Sequence, residues 1–128
     1  MLSRLIPDAV LVSVQNPIQL PNDSQPQPDI TLVRFARYRG TLPTPTDIFL
    51  VIEVSDSTQA FDRDIKLPLY AAAGIPEAWL VDLTAGTIER HSQHGSAGYC
   101  AILHAGRGEE LSSLTLPSVT VAVDTIFG

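Results

Sequence analysis

Two acidic residues and one lysine of this chain could form a metal-dependent site for phosphodiester cleavage. Glu53 follows the apolar run Ile48–Ile52, and Asp29 stands at the head of another β-like run. Lys66, the only lysine, follows Glu53 by 13 residues (66 − 53). Two carboxylates can hold a divalent cation through oxygen ligands, and an ammonium group can stabilise charge that develops on phosphate. The pattern therefore predicts a metal site at the ends of neighbouring strands, with a lysine on the helix that follows.

The same pattern also has a structural explanation. A carboxylate at the end of a buried strand is costly unless a cation or hydrogen bonds compensate it. A salt bridge from Lys66 to Glu53 would meet that need without any catalysis. The chain has eight basic residues, and the seven besides Lys66 (8 − 1) are arginines, so an isolated lysine at this position is unusual. The residues alone leave both explanations open.

Length and composition predict one globular domain over residues 1–128. The chain has a mass of 13.8 kDa, with 45% hydrophobic and 17% charged residues, which is typical of a packed core and not of general disorder. No apolar stretch approaches the roughly 20 residues that span a bilayer, and the first residues lack the apolar core of a signal peptide. Cys100 has no second cysteine with which to form an internal disulfide, so we expect a reducing cytoplasm.

The charge of the chain disfavours nucleic-acid binding overall but is unevenly placed. A net charge of −6 and a pI near 4.8 are poor for a protein that gains affinity by neutralising phosphates. Arg34, Arg37 and Arg39 nevertheless cluster soon after Asp29, and Arg63 lies close to Lys66 in sequence. These four arginines are candidate contacts to a DNA backbone, although a solvated loop explains the first three equally well.

Hydrophobic patterning predicts a domain on the border between α/β and α+β, with one principal helix. The expected order is β-β-β-α-β-β-β, with strands over residues 9–14, 29–35, 48–54, 78–82, 87–91 and 99–103. The helix is expected over 61–73 and stops at Gly74 and Pro76. Pro68 inside it should produce a kink. Residues 114–127 are expected to pack as an irregular tail.

Several separate motifs, in the same order, closely resemble the bacterial Uma family. They are IEVSDS at 52–57, DRDIKLPLYA at 62–71 and GIPEAWLVD at 74–82, with PDI at 28–30 as the upstream motif. The resemblance extends from about Ala9 to the C-terminus. It implies a restriction-endonuclease-like mixed β-sheet of the PD-(D/E)xK nuclease superfamily, with the principal helix after the strand of Glu53.

The resemblance also implies roles for individual residues. Asp29 corresponds to the motif aspartate, Glu53 to the second acid and Lys66 to the helix lysine. Asp29, Glu53 and the main-chain carbonyl of Val54 would then hold Mg²⁺, or Mn²⁺, for the hydrolysis of DNA phosphodiesters. Many members of the superfamily place the lysine two residues after the second acid, where this chain has Ser55.

One departure from the family keeps a second hypothesis open. Family members usually carry helical sequence before the first strand, whereas this chain starts almost at that strand and looks N-terminally short. The alternative is therefore a degenerate, non-catalytic interaction module that retains the fold. For the active form we expect a homodimer, because cutting both strands of DNA generally needs two sites.

The remaining candidates are weaker. Tyr70 could orient Lys66, although core packing explains it more simply, and Glu77 and Asp82 are expected to support the core and the hairpin. None of the three histidines has the compact spacing of metal ligands. They are His91, His94 and His104.

Overall fold

Six strands form one mixed sheet that carries the candidate site. The structure, a computed structural model, describes residues 9–56 and 62–127, apart from the side chains of residues 22, 62 and 63. In sheet order, which is also chain order, the strands are β1 (Val10–Val14), β2 (Ile30–Arg34), β3 (Ile48–Ser55), β4 (Glu77–Asp82), β5 (Thr87–Gly95) and β6 (Gly98–Ala105). All six predicted strands are confirmed, with bounds that differ by a few residues.

The connection between β3 and β4 differs from the others because it brings the chain back in the same direction. β3 and β4 pair in parallel, whereas the other neighbours in this sheet are antiparallel. A parallel pair needs a crossover, which here includes the π turn Asp62–Lys66 and helix α1 (Leu67–Ala72). The crossover therefore lays one helix against the sheet directly after the strand that bears Glu53.

The helical segment changes from a π turn to the α-helix just before Pro68, and the kink predicted there stays a prediction. Pro68 is the second residue of α1, and a π turn precedes it. Proline removes one backbone donor, and sharp kinks in helices are found at proline and at π turns. The predicted starting residue, Phe61, lies outside the described residues.

Gly74 ends α1 as predicted. Its φ is +91°, a conformation that glycine adopts without the steric cost of a side chain. The N–H of Gly74 donates to the carbonyl of Ala71, and the N–H of Ile75 donates to that of Tyr70. These two bonds form a Schellman motif, which satisfies carbonyls at the helix end.

The sheet is covered on both faces, and each face has its own apolar cluster. The face covered by α1 packs Ile18, Leu20, Val33, Ile48, Val51, Leu67, Tyr70, Ile75, Ala78 and Leu80. The opposite face packs Val10, Leu32, Leu50, Ile52, Trp79, Val81, Ile88 and residues from the C-terminal segment. From Leu50 to Ile52 the positions of β3 therefore alternate between the two clusters, as the pleat of a strand requires. A register shift beside Val33 interrupts this alternation between Ile48 and Leu50.

The prediction of an irregular C-terminal tail is wrong. Two short strands, β7 (Glu110–Ser112) and β8 (Thr120–Ala122), form an antiparallel pair, and helix α2 (Val123–Phe127) follows. Leu111, Val121 and Val123 are buried against the large sheet. Strands of three residues are too short to show an alternating pattern, which explains why sequence reasoning missed them.

Glu77 ties this C-terminal segment to the sheet. Its side chain is fully buried and accepts hydrogen bonds from Trp79 Nε1 at 2.8 Å, Ser113 Oγ at 2.7 Å and Thr115 Oγ1 at 2.9 Å. The main-chain N–H groups of Leu114 and Thr115 also donate to it. The predicted supporting role of Glu77 is confirmed, and it explains how a buried carboxylate is tolerated.

Within the two described ranges, no helix has the length and apolar character needed to cross a membrane.

Candidate active site

Asp29 is held against β3 by a hydrogen bond from the main chain. The N–H of Val54 donates to Asp29 Oδ2 at 2.7 Å. Within the described residues, Oδ1 accepts no hydrogen bond, and the residue is partly exposed. One oxygen of Asp29 is therefore fixed by the sheet, while the other remains available for a ligand.

Pro28 stands opposite Val54 where the β2–β3 ladder ends. Hydrogen-bonded and non-hydrogen-bonded pairs alternate along an antiparallel ladder. In the β2–β3 ladder Ile30 pairs with Ile52, so the next pair of the same kind would join residues 28 and 54. Proline has no N–H to donate, so it cannot hydrogen-bond the carbonyl of Val54. Asp29 thus supplies the Val54 N–H with a carboxylate partner, and Pro28 offers the Val54 carbonyl no donor.

Glu53 lies across from Asp29 on the face of the sheet that α1 covers. Extending the Ile30–Ile52 pair by one residue places Asp29 opposite Glu53. Directly opposite residues of an antiparallel pair have Cβ atoms about 4.5–5.5 Å apart on one face. Glu53 shares its face with Val51, which packs in the cluster beneath α1. The register therefore places the two acidic residues opposite each other at the end of the β2–β3 ladder.

Two residues of the helical segment reach the Glu53 carboxylate. Tyr70 Oη donates to Glu53 Oε2 at 2.5 Å, and Lys66 Nζ lies 3.5 Å from Glu53 Oε1. Lys66 and Tyr70 are four residues apart on consecutive helical turns, so they share one side. Glu53 is 1% exposed, whereas the Lys66 side chain is 28% exposed. The tyrosine contact is short and closed to solvent, whereas the lysine contact is long and its lysine is partly exposed to solvent.

The core packing that sequence reasoning favoured for Tyr70 is confirmed. Its hydroxyl also donates to Glu53, a contact that the sequence did not predict. The spacing of four residues between Lys66 and Tyr70 was a usable signal, because side chains at that spacing can converge on one group. Their common partner became visible only with the packing of α1 on β3.

The family and fold of the chain now follow from comparison with known proteins. The Uma2 family, described as "Putative restriction endonuclease", matches residues 2–124. The chain belongs to the Uma2 family. This confirms the family resemblance that the sequence motifs predicted.

A solved structure gives an independent comparison of the fold. The chain is similar to the crystal structure of "a putative nuclease belonging to DUF820" from Anabaena variabilis ATCC 29413, with a TM-score of 0.69 and 11% sequence identity. The match covers 93% of this chain and 68% of that chain. At this identity the likeness concerns the fold, and it confirms the predicted nuclease-like α/β architecture. Comparison with curated proteins gives no match.

The donor chemistry of the Uma2 site suits a hard divalent cation. Asp29, Glu53 and the Val54 carbonyl offer oxygen atoms, which are the ligands that Mg²⁺ and Mn²⁺ prefer. Across the described part of the chain, no group of three or more acidic, histidine or cysteine side chains is arranged to hold a metal. A cation here would therefore depend on two carboxylates, the carbonyl of Val54 and water or substrate oxygens.

The structure places Arg34, one of the candidate DNA-contacting arginines, away from this site. Arg34 is the last residue of β2, five positions from Asp29 and so about 17 Å along the strand. Its guanidinium Nε lies 2.6 Å from Asp47 Oδ1. Arg37 and Arg39 are exposed in the connection that follows β2. The side chain of Arg63 lies outside the described residues.

A second polar cluster lies two strands away on the same face. The registers place Leu80 opposite Glu53, Glu89 opposite Leu80 and His104 opposite Glu89. Buried Glu89 lies 2.9 Å from His91 Nε2 and 3.6 Å from His104 Nε2. Sequence reasoning missed the cluster because it depends on strand register. His91 and Glu89 are hydrogen-bonded, and neither of these two contacts within the described residues is to Asp29.

Proposed function

We propose that this Uma2 protein is a metal-dependent endonuclease that hydrolyses DNA phosphodiester bonds. The proposal rests mainly on the placement of Asp29 opposite Glu53, beside the contact from Lys66. Family membership and the nuclease-like fold support the same reaction class. Asp29, Glu53 and the Val54 carbonyl would hold Mg²⁺ or Mn²⁺.

Each residue of the site has a distinct task in this proposal. A bound divalent cation supplies Lewis-acid activation of water and phosphate. The Val54 N–H fixes Asp29, and the Tyr70 hydroxyl fixes Glu53, so both carboxylates are oriented before substrate arrives. The Lys66 ammonium is a compact charge that stabilises the extra negative charge on the phosphate as water attacks. The partial exposure of Lys66 leaves it accessible to substrate.

A divalent-metal titration followed by a cleavage assay tests the proposal. Calorimetry with Mn²⁺ should show binding that Asp29→Asn weakens strongly, because the amide keeps the acceptor for the Val54 N–H but loses the negative charge. Supercoiled plasmid should be cut only in the presence of Mn²⁺ or Mg²⁺. Absence of metal binding in the wild-type protein would overturn the proposal.

The oligomeric state and the DNA-binding surface are part of the same proposal. A homodimer would convert supercoiled plasmid directly to linear product, whereas a monomer would accumulate nicked circles. Arg37→Ala with Arg39→Ala should reduce the salt dependence of DNA binding if these exposed side chains contact phosphates. Arg34→Ala is the matched control, because Arg34 is paired with Asp47.

A non-catalytic interaction module is the second candidate. The net charge of −6 favours it, and so do the contacts that Lys66 and Tyr70 already make with the Glu53 carboxylate. This hypothesis predicts a stable fold without metal affinity. The titration described above therefore separates the two functions.

A further inference from the structure

Ser55 carries a buried hydroxyl with no hydrogen-bond partner. The residue is 0% exposed, and its Oγ makes no hydrogen bond in the described structure. Its main-chain carbonyl is satisfied, because the N–H of Leu83 donates to it at 2.8 Å. Buried hydroxyls are nearly always paired, since an unpaired one loses its hydration without compensation. This hydroxyl is therefore able to bind a partner outside the protein chain, and its position decides whether the candidate site offers one.

The position of Ser55 places that partner at the candidate site. Ser55 is two residues after Glu53 on β3, so both side chains lie on the face covered by α1, with Cα atoms about 7 Å apart. Ser55 is also the last residue of β3, at the end of the sheet where Asp29 stands. A water molecule held there could contact the Ser55 hydroxyl and the Glu53 carboxylate together.

Thr31 shows that an unpaired hydroxyl alone does not define a site. Thr31 Oγ1 is also buried and without a hydrogen bond, and Thr31 is two residues from Asp29. The β2–β3 register, however, pairs Thr31 with fully buried Val51, toward the middle of the sheet. Ser55 lies on the opposite side of the acid pair, at the strand end. The two residues form a matched pair that differs in position relative to the site.

We propose that Ser55 is a positioning residue whose hydroxyl hydrogen-bonds the attacking water. This inference rests on the proposed nuclease function. In that hydrolysis the water oxygen bonds to phosphorus, the bond from phosphorus to the leaving sugar oxygen breaks, and the water's proton is passed to solvent or the leaving oxygen. Ser55 exchanges no atom in the reaction. A buried water needs about two to four polar partners, and the Ser55 hydroxyl would supply one beside Glu53 and Lys66.

Kinetics of three variants test this role in the Mn²⁺-dependent cleavage of an oligonucleotide duplex. Ser55→Ala should lower kcat about 100-fold with KM changed less than twofold, the usual scale for losing one donor that acts in the transition state. Ser55→Thr keeps the hydroxyl and should recover most of the rate. Thr31→Val removes the other unpaired hydroxyl and should leave both constants unchanged.

Thermal unfolding in metal-free buffer separates a structural role from a positioning role. Ser55→Ala should leave Tm unchanged or raise it, because the lost hydroxyl had no protein partner, and Mn²⁺ affinity should persist. A lower Tm for Ser55→Ala would assign the hydroxyl to folding and overturn the proposal. Equal kcat in Ser55→Ala and wild type would overturn it while leaving the nuclease function standing. Absence of cleavage by the wild type would overturn both.

Discussion

The main-chain N–H of Val54 donates to the side chain of Asp29. This bond links two residues that each offer a candidate metal ligand, the carboxylate of Asp29 and the main-chain carbonyl of Val54. The contact lies where the β2–β3 ladder ends, beside Pro28, which has no N–H to donate to the Val54 carbonyl. The residues of the site are therefore positioned by the end of a β-ladder as well as by their own side-chain packing. Changes to the charges of the site should leave this main-chain framework in place.

Glu53→Gln should abolish Mn²⁺ binding and leave the fold intact. The amide oxygen can still accept the hydrogen bond from Tyr70, and the loss of charge removes repulsion toward Asp29 across the ladder. Calorimetry measures the metal affinity, and urea unfolding measures the stability. Unchanged Mn²⁺ affinity in the variant would remove Glu53 from the site.

Glu77→Gln is the matched control for that experiment. Both glutamates are buried, but Glu77 accepts hydrogen bonds from the segment that follows β7. The amide NH₂ would face some of these donors, so we expect a loss of about 1–3 kcal/mol in the free energy of unfolding. Mn²⁺ affinity should stay at the wild-type value. The two variants together distinguish a carboxylate that serves the fold from one that serves the site.

Tyr70→Phe should weaken both the fold and the metal site. The hydroxyl donates to Glu53 Oε2, so its removal should cost about 1–3 kcal/mol and reduce Mn²⁺ affinity about 10–100-fold by releasing the ligand from its orientation. Tyr99→Phe is the control, because the Tyr99 hydroxyl donates to the Ile75 carbonyl at 2.8 Å. A drop in Mn²⁺ affinity in the Tyr99 variant as large as in the Tyr70 variant would point to a general loss of packing.

The contacts of Asp47 predict a pH dependence of stability that does not involve the candidate site. The main-chain N–H of Thr44, ahead of the Arg34 guanidinium, holds the pKa of Asp47 below its usual range. When the pKa of a carboxyl is lower in the folded state than in the unfolded state, its ionised form stabilises the fold. This stabilisation is fully present at pH values above the ordinary carboxyl pKa of about 4, and it is lost as the pH falls through the lowered value. The stability difference between wild type and Asp47→Asn should therefore be present at pH 7 and shrink in acid. A difference that stays constant down to pH 2 would contradict this assignment.

The sequence predicted the elements of the site better than the contacts between them. The apolar run that ends at Glu53 and the stop at Gly74 are local signals, and both correspond to the observed structure. The Tyr70–Glu53 bond and the Glu89 cluster depend on how a helix and distant strands meet, which no local pattern records. Strands β7 and β8 escaped prediction because three residues carry too little periodicity.

The roles of the arginines show the same limit. Their closeness to Asp29 in sequence suggested a common surface, but an extended strand separates residues by about 3.3 Å each. Arg34 therefore lies at the far end of β2 and pairs with Asp47. Closeness along a strand does not predict closeness in the site, whereas cross-strand register does.

Lys66→Met should remove cleavage while leaving the fold and the metal affinity nearly intact. Methionine keeps an unbranched stem and favours helix, so packing changes little. The ion pair with Glu53 spans 3.5 Å and the lysine is partly exposed, so its loss should cost no more than about 1 kcal/mol. Oxygen ligands hold the cation, and removal of a nearby positive charge does not weaken them. The transition state alone loses a partner.

A structural role for Lys66 predicts a different result for the same variant. If Lys66 were the main compensation for buried Glu53, its removal would leave that carboxylate insufficiently paired, and the free energy of unfolding would fall by about 3–5 kcal/mol. Lys66→Arg retains the charge and serves as the control for stability. Urea unfolding of both variants in metal-free buffer decides the question. A small loss of stability in Lys66→Met together with lost cleavage supports a catalytic role for Lys66. The stability loss is small in that case because the Tyr70 hydroxyl still donates to Glu53 when the ammonium is gone.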